Sequence, residues 1–422
     1  MQIFYTILYT LGFVALSPIF LFKMWKRGKY RENFFQRFGH YSPDLLQKLG
    51  DKTRPRAWLQ AVSVGEVNLA LPFLAALRKR LPDLEIVLTT TTSTGYALAK
   101  QRLPADVKLL YFPQDFPFAV RRAYDLIRPD FIVLMESELW PNHIWEAARR
   151  RVPVFLVNAR MSPRSAARHA RFRWPFCHVW PHLRLVCVQS QPDFQRYLAA
   201  GVPRERLHLT GNMKYDASLP DARERVSLPP LGNGKPVLVA GSTWPGEEAV
   251  LFDIATRNPN LFLVLVPRHV ERTPEILELA KQKNIRVALR KGEPSQGDCL
   301  LVNTTGELRW FYELATVIFV GKSLPGNVGG QNIVEAAASG HPVLFGPHME
   351  NFQEISRQFI EAGACRQVAN GEELERAVNE LLADAAQRER MATAARQVIA
   401  ANTGAIGRTV DLIAEALQQT TG

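Results

Sequence analysis

Cysteine is scarce in this chain. Its 422 residues include four, Cys177, Cys187, Cys299 and Cys365, in no disulfide or zinc-finger spacing, which points to a reducing compartment. Cys177-His178 with His182 is a thin ligand set that no second cysteine pair or carboxylate motif completes, so no metal is expected. No repeat of solenoid length recurs, which argues against an array protein. Charged residues make up 22% against 47% hydrophobic, a balance that excludes a disordered chain. Acidic residues are in deficit, 40 against 52 basic, and the net charge of +12 implies an anionic partner. Membrane lipid, a phosphorylated substrate and nucleic acid all qualify. No recognised nucleic-acid motif accompanies the charge, so nucleic acid is the weakest of the three.

Charge is absent altogether from Ile3 to Phe22. As a helix these twenty positions reach roughly 30 Å, the thickness of a bilayer core. Lys23, Lys26, Arg27, Lys29 and Arg31 follow at once, which by the positive-inside rule leaves the rest of the chain in the cytoplasm. A cleaved signal peptide fits less well, because no basic residue precedes the apolar run and no small-x-small site follows it. Residues 1–22 are therefore expected to form a single-pass membrane anchor, kinking at Pro18 and monotopic insertion being left open. The Arg-dense span from Arg149 to Arg173, with Phe172 and Trp174 interleaved, suits an anionic lipid surface or plain solvation.

Beyond the anchor, short apolar runs alternate with helical patterns. Strands are expected at 56–62, 85–90, 107–111, 131–135, 154–157 and 185–188, with helices between them. Residues 216–234 are rich in Pro, Gly, Asp and Arg and read as a linker. The alternation then restarts at Val237. The expected architecture is α/β: a Rossmann-like domain over 23–215, the linker, and a second Rossmann-like domain over 235–422 including the Ala-rich helical tail, with a cleft between them. In such sheets ligands bind beyond the carboxyl ends of the strands.

The densest punctuation falls between Phe319 and Phe352. A strand over 315–320 runs into a loop with Gly321, Gly326, Gly329 and Gly330, then a helix over 332–339 and a strand over 342–345. Such a turn offers free backbone N–H groups and a helix N-terminus to a phosphate, and Glu335 lies one turn in, able to accept from ribose hydroxyls. A tight turn with a solvated Glu is the plain alternative.

Single residues at other strand ends carry chemistry. Glu66, in Ser63-Val64-Gly65-Glu66, is a candidate general base, yet S-x-x-E is also a capping box. A helix N-terminus favours its ionised form, so the expectation is a deprotonated and weak base. Glu136 and Glu138 follow a buried strand, and alternation points both the same way. Capping of the next helix explains them equally well. Lys214 places a cation at the end of the first domain, or is a solvated linker lysine. Arg268 ends a strongly apolar strand, where its planar fork suits a phosphate or carboxylate.

The ordered set SVGE (63–66), MESELWPN (135–142), NARMSPRS (158–165), TGNMKYD (210–216), GSTWPGEE (241–248), PRH (267–269) and GGQNIVEAAASGHPVLFGPHMENF (329–352) resembles the 3-deoxy-D-manno-octulosonic acid (Kdo) transferases of Gram-negative lipopolysaccharide assembly. The resemblance spans nearly the whole chain. It implies a GT-B fold and metal-free, inverting transfer of Kdo from CMP-Kdo to a lipid A precursor, with no cofactor. It implies Glu66 as the base and Glu136 with Lys214 as a transition-state-stabilising pair. Pro267, Arg268, Gly321, Lys322, Ser323, Asn332, Ile333, Val334 and Glu335 would hold CMP, with Gly241 and Ser242 adding backbone donors. A GT-B transferase using a UDP-sugar and a lipid acceptor, and a non-catalytic membrane adaptor of the same fold, stay open as alternatives.

Overall fold

The structure, a computed structural model, describes residues 1–27, 33–50, 52–171, 177–218, 231–292 and 297–421. Lys29, Arg31, Phe172, Arg173, Trp174 and most of the 216–234 linker lie outside the described residues. The chain divides into two units, Met1–Ala217 with Thr403–Gly422, and Ser218–Asn402.

The sheet of the first unit contains β1 (Arg56–Gln60), β2 (Glu85–Thr90), β3 (Lys108–Tyr111), β4 (Phe131–Met135), β5 (Val154–Ala159), β6 (Leu183–Val188) and β7 (Leu207–Leu209). Their order is β3-β2-β1-β4-β5-β6-β7, with every neighbouring pair parallel. β1, β4 and β5 are buried along their whole length, as strands covered by helices on both faces must be. The chain leaves β1 toward β2 and β3, then returns to β4 on the other side. The ends of β1 and β4 therefore flank the switch point where α/β sheets open a ligand crevice.

The second unit repeats the plan with β8 (Val237–Thr243), β9 (Phe262–Pro267), β10 (Val287–Leu289), β11 (Cys299–Leu301), β12 (Val317–Val320), β13 (Val343–Phe345) and β14 (Cys365–Gln367). The order β10-β11-β9-β8-β12-β13-β14, again all parallel, puts the switch between β8 and β12. Two short edge strands, β7 and β14, escape the apolar-run criterion because each has one buried residue in three.

One assignment changes. The tail expected within the second domain forms helices over Gly371–Ala383, Ala385–Asn402 and Ala405–Thr421, and the last belongs to the first unit. Gly404, with φ of 86°, breaks the run, and both Asp216 oxygens accept from the new helix start, at Gly404 N (2.6 Å) and Ile406 N (2.7 Å). Ile406, Val410 and Ile413 are then buried in the core beside Val67, Ala70 and Leu74 of the helix Val64–Arg80. At about 1.5–3 kcal/mol for each aliphatic side chain, that burial holds the helix to the first sheet.

The N-terminal apolar run is a helix, Gln2–Arg27, with Pro18 inside it. Its window Gln2–Ile19 is long and apolar enough to cross a membrane, with a mean hydropathy of 1.5. One face nevertheless packs on the first unit, where Tyr5 donates to Asp115 (2.8 Å) and Tyr9 to Gln114 (2.8 Å).

Candidate functional site

In the first unit the helix after β1 begins at Val64, three residues earlier than its apolar pattern indicates, so Glu66 sits in its first turn. The capping box does not close. The Ser63 hydroxyl makes no cap bond, and Glu66 Oε2 instead accepts from Val62 N at 2.6 Å, one residue before the cap. The carboxyl is half-buried, and burial together with the charge of Glu136 raises its pKa to about 8. The expectation of a weak, fully ionised base is therefore corrected. Desolvation outweighs the helix N-terminus, and the group is tuned near neutrality, where proton transfer is most effective.

Glu136, at the end of β4, is 7% exposed and adopts φ of 57°, a left-handed conformation uncommon for a residue of this type. Both oxygens are paired: Oε2 accepts from Arg160 Nε at 2.9 Å, and Oε1 lies 3.4 Å from Lys214 Nζ. Asn158 sets up this arrangement. It is fully buried in β5 with φ of 51°, and its Oδ1 accepts from Met213 N at 3.0 Å, pinning the short helix that carries Lys214. Arg160 counts only toward the basic span at the sequence level; the structure moves it into the carboxylate cluster. Glu138 accepts from Trp140 Nε1 at 2.7 Å, and burial raises its pKa. The charges of Glu136 and Glu138 both bear on Glu66, and that of Glu136 on Glu138.

In the second unit three strand ends are stitched side by side. Gly321 N donates to Gly241 O (2.8 Å) and Arg268 N to Thr243 O (3.2 Å). Ser242 lies within β8, where the ladder to β9 skips it and its φ is 56°. Gly241 is required by packing, since a Cβ there would collide with the Tyr312 hydroxyl. Arg268, one residue beyond Pro267 of β9, is exposed and pairs with no carboxylate among the described residues. Lys322 has φ of 59° and holds Nζ 4.7 Å from the centroid of the Trp244 ring, which meets His269 edge-on at 5.4 Å.

The glycine loop departs from expectation. Its N–H groups are not free for a phosphate: Lys322 N (2.7 Å), Ser323 N (2.8 Å) and Leu324 N (3.1 Å) all donate to the carboxylate of Glu247, as does Trp244 N (2.9 Å). Glu247 is 1% exposed in the first turn of the helix Glu247–Arg257, and burial raises its pKa. Ser323 is fully buried, its hydroxyl donating to Val320 O (2.6 Å) and accepting from Gly346 N (2.8 Å), so this side chain braces the loop and faces no ligand. The helix after the loop is Val334–Ala338, shorter than its composition indicates, because Asn332 Oδ1 accepts from Val334 N (3.1 Å) and closes a local turn. The side chains of Ile333 and Val334 are buried in the core, leaving only their backbone for contact. Glu335 is half-buried, 3.8 Å from Arg309 Nε.

Glu247 is the residue that sequence reading missed. Its reach back to Trp244 N follows the spacing of an N-terminal cap, which was visible, but its bonds to residues 322–324 cross the sheet. Among the described residues no three His, Cys, Asp or Glu side chains group as a metal site.

Two parallel, doubly wound units are the GT-B glycosyltransferase fold. Solved structures share it at low identity. UDP-GlcNAc 2-epimerase from Neisseria meningitidis has a TM-score of 0.60 at 15% identity, over 86% of this chain and 100% of that one. The glycotransferase of kitacinnamycin has a TM-score of 0.55 at 17% identity, over 86% of this chain and 100% of that one. A family model described as 3-Deoxy-D-manno-octulosonic-acid transferase (kdotransferase) matches residues 32–217. The chain is 34% identical over 408 residues to the 3-deoxy-D-manno-octulosonic acid transferase of Haemophilus influenzae, covering 93% of each. It is 33% identical over 426 residues to that of Bordetella pertussis, covering 96% of this chain and 98% of that one. The chain belongs to the Kdo transferase family, and it is a glycosyltransferase.

Proposed function

We propose that this protein moves Kdo from CMP-Kdo to the phosphorylated lipid A precursor (lipid IVA) at the cytoplasmic face of a bacterial inner membrane, inverting the anomeric centre. The observation that carries this reading is Glu66, a carboxyl tuned to about 8 beside the Glu136–Lys214–Arg160 cluster, in a chain of this family. Glu66 takes the proton of the acceptor hydroxyl as that oxygen bonds to the anomeric carbon, and the bond to the CMP phosphate breaks. An activated donor needs a base, positioning and stabilisation of the leaving phosphate, with no strong acid.

Lys214 and Arg160 pair with the two oxygens of Glu136 and keep positive charge near the site of reaction. Lys214→Met is expected to lower kcat about ten- to hundredfold, within the range for loss of one electrostatic contact in the transition state, with the melting temperature little changed. Steady-state rates at saturating substrates check this.

In the second unit, Arg268 and Lys322 are cations without a carboxylate partner among the described residues, and we assign them to the donor phosphate, with the backbone at Gly241, Ser242, Pro267 and Gly321 beside them. Asn332, the backbone of Ile333 and Val334, and Glu335 complete the assignment toward the nucleoside. Arg268→Lys keeps the charge and loses the fork; KM for CMP-Kdo should rise about tenfold with kcat nearly unchanged. Displacement of bound donor by CMP but not by UDP tests the donor class, and preference for UDP would transfer the protein to the UDP-sugar enzymes. The apolar helix and the basic first unit support membrane association and an anionic acceptor.

A further inference from the structure

We propose that the N-terminal helix lies in the plane of the cytoplasmic membrane interface and does not cross the bilayer, forming with an aromatic shelf of the first unit one lipid-immersed surface. The proposal rests only on the membrane-association part of the functional reading, and its tests need no transfer activity.

The helix Gln2–Arg27 is two-faced despite carrying no charge before Lys23. Gln2, Tyr5, Thr6, Tyr9 and Phe13 recur at helical spacing and dock on the first unit. Gln2 Nε2 (3.2 Å) and Thr6 Oγ1 (3.3 Å) donate to Asn142 Oδ1, and Tyr5 donates to the fully buried Asp115. Tyr5 meets the Trp145 ring at 5.7 Å, while Tyr9 and Phe13 each meet Phe116 at 5.1 Å. On the outer side, Ile3, Ile7, Leu8, Leu11 and Val14 are 53–77% exposed. This apolar face continues onto the globular unit. Phe118 stacks on Phe116 at 5.6 Å and is 51% exposed, and Phe35, against Phe34 at 5.7 Å, is 67% exposed. A patch of this kind on a soluble face requires a cover.

Geometry selects the mode of immersion. A bilayer-crossing helix with the catalytic units in the cytoplasm would carry Gln2 and Tyr5 about 30 Å away from Asn142 and Asp115. It would strip a buried carboxylate of one of its partners. The other end is also tethered: Asn33, six residues past Arg27, donates to the Tyr96 hydroxyl at 3.2 Å, and six residues reach at most about 20 Å. The basic run that begins at Lys23 follows the apolar stretch directly. Laid flat, the same helix turns its aliphatic side to the acyl chains and leaves that run among anionic headgroups, the arrangement of an interfacial helix.

Topology of the full-length protein tests this. A protease-cleavable tag ahead of Met1 should be cut in inside-out vesicles together with cytoplasmic markers, and should resist protease added to intact spheroplasts. Cleavage in spheroplasts, with protection in inside-out vesicles, overturns the proposal and restores a single-pass anchor. A second variant removes dependence on the tag. In a Cys177→Ser background, Thr6→Cys with Asn142→Cys should form a disulfide in membranes on mild oxidation. Failure of that pair to cross-link, in protein that sediments with membranes, also overturns it.

Discussion

Glu66→Gln is expected to reduce transfer by a factor of about 10² to 10⁴, the range supplied by a positioned general base, while binding of CMP is unchanged. The amide oxygen can still accept from Val62 N, so the helix start survives and the loss isolates the proton-transfer role. The pH profile separates this from a structural defect. With Glu66 present, kcat/KM should rise with pH and level off above about 8, as the carboxyl loses its proton. The residual rate of Glu66→Gln should lack that limb. Stability should move the opposite way. A carboxyl whose folded pKa is raised stabilises the fold at low pH, and that contribution is lost as pH rises through about 8. Glu66→Gln protein should therefore melt above wild type at pH 9 and match it below pH 4. A Gln variant less stable than wild type at pH 9 would mean that Glu66 serves chiefly as a cap.

Glu247→Ala is expected to be the most damaging change in the second unit. Four backbone N–H groups would lose the carboxylate they donate to, a side chain that is itself 1% exposed, at about 1–3 kcal/mol for each donor left unsatisfied. The loop from Gly321 to Leu324 would then relax, displacing Lys322 from Trp244. The measurement is CMP affinity by calorimetry, where a loss of at least tenfold is expected, alongside a lower melting temperature. Glu247→Gln retains one oxygen and should fall between. Because Glu247 acts through the loop, the pH limb assigned to Glu66 should persist in whatever activity remains. Unaltered CMP affinity in a folded Glu247→Ala protein would show that the loop does not position the donor.

The legible parts of this chain were those governed by local pattern. Buried parallel strands announce themselves as unbroken apolar runs, so β1, β4, β8, β9 and β12 fell where the sequence placed them within a few residues, with Glu66 and Glu136 beyond β1 and β4 at one switch point and Gly241 and Gly321 at the ends of β8 and β12 at the other. Less legible was whatever depends on partners far along the chain. The pKa of Glu66 is set by burial and by Glu136, seventy residues away, while S-x-x-E spacing speaks only of the cap. The glycine loop reads as an anion cradle until the carboxylate of Glu247 is seen filling it from within the protein. Arg160 was submerged in an Arg-rich span, and only the fold of β5 against β4 singles it out for Glu136. The final helix was misassigned because its anchor, Asp216, opens the linker, 188 residues before Gly404. An apolar helix of membrane length gives no hint from its hydropathy that Tyr5 and Tyr9 will hydrogen-bond to the first unit.

The most direct measurement is incubation of the full-length protein in membranes with freshly generated CMP-Kdo and a tetra-acylated lipid A precursor, followed by mass spectrometry of the lipid, with Glu66→Gln run in parallel. The expected result is a lipid heavier by a whole number of Kdo residues with wild type, and unmodified lipid with Glu66→Gln. A CMP-binding wild-type protein that leaves the lipid unmodified would contradict the proposed reaction, and equal product from both proteins would contradict the role of Glu66 as its base.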